Sequence, residues 1–129
     1  MSQPLVWFIT GCSSGFGASL ALLALKNGHH VIATSRTPSK TPEIVSQVEK
    51  LGGSWLALDV CSPDLSSTIN TVTQIYGRID VLVNNAGYCL LGAFETFTYV
   101  NSTEIYVRRL IRAVRKSVAA KWKQISSLL

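Results

Sequence analysis

The chain has 129 residues, 47% of them hydrophobic and 15% charged, which allows one buried core and argues against a disordered chain. Its formal net charge of +5 is uneven: residues 1–100 carry five Lys/Arg against six Asp/Glu, and residues 101–129 carry seven against one, so the basic balance gives no ground for nucleic-acid binding by the whole domain. No apolar run reaches the ~18–20 residues of a membrane span, no secretory leader is legible, and three scattered cysteines, Cys12, Cys61 and Cys89, make neither a metal spacing nor a disulfide framework; a reduced, cytoplasmic setting is expected.

Leu5–Gly11 (LVWFITG) is apolar, rich in β-formers and ended by glycine, which predicts a buried strand. Phe16–Gly28 predicts a helix stopped by Asn27-Gly28. His30–Arg36 reads as a second strand, residues 37–42 (TPSKTP) as a loop, and Glu43–Gly53 as an amphipathic helix closed by Gly52-Gly53. Ser54–Val60 reads as a third strand. Ser62–Gly77 reads as a helix with Ser62 as N-cap and Pro63 in its first turn. Ile79–Gly87 is a fourth strand running into a polar turn. This alternation implies right-handed crossovers and a parallel sheet with helices on both faces, an α/β, Rossmann-like doubly wound domain. Residues 97–129 fit the pattern less well and read as an atypical basic helical tail. Its apolar stripe runs through Val107, Leu110, Ile111, Val114, Val118, Trp122 and Ile125. The stripe is expected to pack on the sheet with Arg108, Arg109, Arg112, Arg115, Lys116, Lys121 and Lys123 in water. The alternative is a basic helix docking on an anionic membrane or a partner's groove.

Thr10–Gly17 (TGCSSGFG) joins the first strand to the first helix. Ligands of doubly wound sheets sit beyond the carboxyl ends of the strands, and a helix N-terminus attracts phosphate through free N–H groups and its partial positive charge. Gly11 can make the tight turn, Gly15 can let a pyrophosphate reach the backbone, and Gly17 can let helix and sheet approach. Ser13 and Ser14 add hydroxyls. The spacing is G-x-x-x-G-x-G, and the strand before and helix after it point to dinucleotide binding rather than a bare turn.

TGCSSGFG, then Leu58–Val60 (LDV), then Asn84–Gly87 (NNAG), in this order, resemble the short-chain dehydrogenases/reductases over about residues 5–95. The resemblance implies cofactor contacts from Gly11, Ser13, Ser14, Gly15, Phe16 and Gly17. It also implies that Asp59 and Val60 meet the adenine and that Asn85, Ala86 and Gly87 lie under the ribose, with Asn84 stabilising the turn. A helix cap is the other role open to Asp59. The end of the second strand faces the adenosine ribose. There Ser35, Arg36 and Thr37 stand with no carboxylate before Glu43, and arginine pairs with a 2′-phosphate, so NADP is expected ahead of NAD.

The resemblance also implies hydride transfer on an alcohol or carbonyl substrate, which needs a general acid/base. The family uses a tyrosine with a lysine four positions later. Four residues beyond Tyr76, Tyr88, Tyr99 and Tyr106 stand Asp80, Gly92, Thr103 and Leu110, none of them lysine. Ile125–Ser127 resemble the family's fifth-strand ISS, which maps the catalytic serine to Ser127; a serine in a frayed tail is the other reading. Asn101 is a weaker echo of the family's helix asparagine. His29 and His30 have no catalytic context. The expectation is therefore a Rossmann-like domain incomplete at its C-terminal side, from a truncated relative. Two functions stay open: an NADP-dependent oxidoreductase, with small-molecule substrate, no nucleic-acid partner and a homo-oligomer open, or a catalytically silent NADP-binding module. A protein that works through its basic helix is the third.

Overall fold

The structure, a computed structural model, describes residues 2–63, 65–87 and 123–126. In chain order these form β1 (Val6–Ile9), α1 (Gly15–Lys26), β2 (His30–Ser35), a 3₁₀ turn (Pro38–Lys40), α2 (Pro42–Lys50), β3 (Ser54–Ala57), α3 (Ser66–Tyr76), β4 (Val81–Asn84) and β5 (Lys123–Ser126). The strands lie in the order β3-β2-β1-β4-β5, and every pairing is parallel. The chain moves outward from β1 through β2 to β3, then starts again on the other side of β1 with β4. Ligands of doubly wound sheets bind at such a reversal, here at the carboxyl ends of β1 and β4.

Side chains alternate across each strand, so neighbouring residues feed two cores. Phe8, Ile32 and Leu82 pack with Ile69, Val72 and Ile79 on the α3 face. Ile9, Val31, Ala33, Val81 and Val83 pack with Ala21, Ala24, Leu25 and Val48 on the face of α1 and α2. The alanines of α1 bring that helix close to the sheet, which places its first turn beside the carboxyl end of β1.

The largest departures from the sequence expectation lie at α3, β3 and β5; Pro38–Lys40 also forms a 3₁₀ turn and α2 starts at Pro42 within the expected loop. Ser62 does not cap a helix: its N–H bonds to the Asp59 carbonyl (3.0 Å), and the Asp59 carboxylate accepts the Cys61 N–H (2.9 Å). That Asx turn uses up the residues expected to start the helix, so α3 begins at Ser66 with Leu65 as its N-cap. The same turn ends β3 at Ala57 rather than Val60. The helical stripe does not extend to Ile125. Lys123–Ser126 is a strand in register with β4, Val83 opposite Ile125 and Asn84 opposite Ser126. The free edge of β4 offers main-chain partners that no helical periodicity reveals. The rest of the basic tail, with Asn101 and Ser127, lies outside the described residues.

Candidate functional site

The loop from Thr10 to Ser14 leaves the sheet beside the end of β4, and side-chain bonds to main chain hold the two together. Thr10 is buried. Its hydroxyl donates to the Val83 carbonyl (3.3 Å) and accepts the N–H groups of Asn85 (3.1 Å) and Ala86 (3.0 Å). In return the Asn85 amide donates to the carbonyls of Thr10 (3.1 Å) and Gly11 (3.0 Å). Asn85, expected under the ribose, thus clasps the glycine turn from below. Cys12 fastens the other side: its N–H bonds to the Thr34 carbonyl (2.8 Å) and its thiol to the Ile9 carbonyl (3.3 Å). Burial pushes the Cys12 thiol from 9.0 up to about 11, against a smaller lowering by a hydrogen bond from the Thr34 main chain to the sulfur, so it is an uncharged packing group.

The three glycines of the turn divide into two kinds. A Cβ on Gly17 would collide with the Asn85 amide nitrogen and stand 2.5 Å from the Gly11 carbonyl oxygen. One on Gly11 would stand 2.7 Å from the Ala86 Cα. Protein packs against both, and Gly11 also has φ +70°, which its turn requires. Gly15 has φ +60° and would meet nothing within 4 Å. Its main chain faces open space at the start of α1. Ser14, the N-cap residue, is extended and makes no side-chain capping bond, and the first turn carries no acidic residue. The first N–H groups of α1 therefore remain available to an anion. Ser13 is half-buried, Ser14 is exposed, and Phe16 is 66% exposed beside them.

The ends of the outer strands complete the candidate site. Ser35 is buried at the end of β2, while Arg36 and Thr37 are exposed. Among the described residues Arg36 makes no ion pair. Asp59 is exposed and Val60 half-buried past β3; past β4, Asn84 is buried, Ala86 half-buried and Gly87 exposed. The sheet order brings the glycine turn and residues 84–87 into contact and sets Ser35–Thr37 on the β2 side of the turn. Ser127 lies outside the described residues. No group of His, Cys, Asp or Glu that could hold a metal occurs among the described residues. Open amides at Gly15 and the cationic Arg36 form a donor set suited to phosphate oxygens. Sequence reasoning missed Thr10, Cys12 and Trp55. The signal for Thr10 was a hydroxyl at the last buried position before the turn.

The short chain dehydrogenase family model matches residues 5–125. The chain belongs to that family. Members of the family bind NAD or NADP. Among curated relatives, the oxidoreductase claN of Passalora fulva is 44% identical over 101 residues, covering 78% of this chain and 44% of its own. The 3-ketodihydrosphingosine reductase of Bacteroides thetaiotaomicron is 35% identical over 98% of this chain and 48% of its own. This short-chain dehydrogenase chain thus spans less than half the length of those relatives. A short-chain dehydrogenase from Streptomyces avermitilis superposes with a TM-score of 0.81 at 31% identity, over 96% of this chain and 49% of that one. A metagenomic short-chain oxidoreductase solved in complex with NADP superposes with a TM-score of 0.81 at 26% identity, over 95% of this chain and 61% of that one.

Proposed function

We propose that this chain binds NADP(H) across the carboxyl edge of its sheet, as the cofactor-binding part of an oxidoreductase acting on an alcohol/ketone pair. The observation that carries the reading is Gly15, exposed main chain at an uncapped helix N-terminus; the end of the neighbouring strand β2 adds an arginine without an ionic partner among the described residues. The diphosphate rests on the N–H groups of Gly15 and Phe16, with Ser13 and Ser14 beside it. Arg36 and Thr37 take the 2′-phosphate, and Ser35 stands behind them. Asp59 and Val60 border the adenine, and Ala86 and Gly87 let the ribose lie close to the end of β4. The dinucleotide, when bound, supplies or accepts the hydride. Ser127 is the residue proposed to hold the substrate oxygen. The NADP complex of the metagenomic relative supports the cofactor choice.

A second reading, binding without turnover, has its own support. No tyrosine in the 129 residues has a lysine four positions later, so this chain alone shows no proton donor of the family's kind. Titration calorimetry with NADP and NAD, followed by NADPH oxidation with a panel of ketones, tests both readings. Tighter NADP binding that Arg36→Asp shifts toward NAD supports the cofactor assignment; equal affinities refute it. Binding without oxidation of NADPH selects the second reading.

A further inference from the structure

The buried end of β2 has a second set of ties that the dinucleotide reading does not use. Ser35 is 6% exposed. Its carbonyl accepts the Leu58 N–H (2.9 Å), and its hydroxyl accepts the indole N–H of Trp55 (3.1 Å). Both partners lie on or just past β3, which borders the sheet. Trp55 is in register with Ala33, so its ring reaches one pleat along the same face to meet Ser35. An indole N–H can only donate, so the direction of this bond is fixed. The bond uses a lone pair of Ser35 and leaves the serine proton, which is donated to none of the described residues. The next residue in the chain is the exposed Arg36. A buried hydroxyl with a proton to donate, next in the chain to a guanidinium that makes no ion pair among the described residues, suits the oxygens of an oxyanion.

We infer that Trp55 is a positioning residue for the 2′-phosphate. It holds the Ser35 hydroxyl as a donor and fixes the strand end from which Arg36 projects, and so sets the preference for a phosphorylated adenosine. The inference rests on the NADP reading above and extends it to a residue outside the glycine turn and the strand ends.

The probes are adenosine 2′,5′-bisphosphate and 5′-AMP, which differ only in the 2′-phosphate, titrated into the full chain. Trp55→Phe keeps the ring and removes the N–H. It is expected to weaken the bisphosphate about 3–10-fold, the size of one hydrogen bond, and to leave 5′-AMP unchanged. Ser35→Ala removes the same bond without touching the packing of Trp55, and it carries the test if Trp55→Phe does not fold. The double variant is expected to lose no more than the larger single loss, because one bond is being removed twice. Unchanged preference in a folded Trp55→Phe, whatever Ser35→Ala does, or losses that add, overturns the role of Trp55 while the unaltered chain still prefers the bisphosphate. An unaltered chain that does not distinguish the two probes overturns the NADP reading itself, and the positioning role with it.

Discussion

At the carboxyl end of the sheet, polar side chains bind loop main chain from beneath and leave a surface open. At the amino end they close on one another. There Trp7 lies against His29 (ring centroids 5.9 Å) and His30 stacks on Tyr76 (4.8 Å), one pair on each side of the sheet. Asp80 pairs with Arg78 (3.0 Å) and accepts the Val6 N–H (2.8 Å), while Arg78 also donates to the Pro4 carbonyl (2.9 Å). The main chain at that end is used up by the protein. At the other end Thr10, Cys12 and Asn85 satisfy the turn from its inner side only, and the amides after Ser14 are left over. The carboxyl end is the region where main-chain donors are held in place but not consumed.

Gly17→Ala is the sharpest way to break this contrast. The methyl group would meet the Asn85 amide and the Gly11 carbonyl, both fixed in the clasp, and is expected to cost more than about 3 kcal/mol in chemical denaturation and to abolish NADP binding. Next comes Thr10→Val, which keeps the shape and removes the hydroxyl. It leaves the Asn85 and Ala86 N–H groups without their acceptor, an expected loss of about 3 kcal/mol together with weaker NADP binding by calorimetry.

The Cys12 thiol gives a pH test of how dry the floor of the turn is. Its pKa is higher in the fold, so the folded chain holds this proton more tightly. Its contribution is complete below pH 9 and is lost as pH rises through about 11. Stability measured against Cys12→Ala should therefore fall by about 2 kcal/mol across that window, and the variant should lack this component. The smallest effect belongs to the amino end. Arg78→Ala removes a half-exposed ion pair and one hydrogen bond, and it should cost about 1 kcal/mol while NADP affinity stays unchanged. A fall in affinity there would show that the two ends are coupled.

The elements from β1 to β3 were legible because apolar runs and glycine punctuation act over a few residues. The start of α3 was misread for a local reason: Ser62-Pro63 is a good capping signal, but Asp59 turns the chain first. β5 was read two ways, as the end of a helical stripe and, through the ISS resemblance, as a fifth strand, and the strand is what forms. Trp122 and Ile125 continue a helical stripe, yet Lys123–Ser126 pairs with β4, some forty residues earlier in the chain. In the candidate site, the glycine turn, Arg36 and the LDV and NNAG motifs stand out in the sequence, because each is a short run of residue types. Asn85 could be placed at the site, but its grip on the Thr10 and Gly11 carbonyls could not be foreseen.

The sequence by itself determined the β–α alternation, the family motifs and the cationic end of β2, because each is written in a short stretch of residue types. Only the tertiary structure decided which glycine of the turn is open and which face protein, that Thr10 and Asn85 lock two loops together, and that Trp55 reaches Ser35. Those contacts join residues up to 76 positions apart. They exist only once the parallel sheet has brought its carboxyl ends side by side.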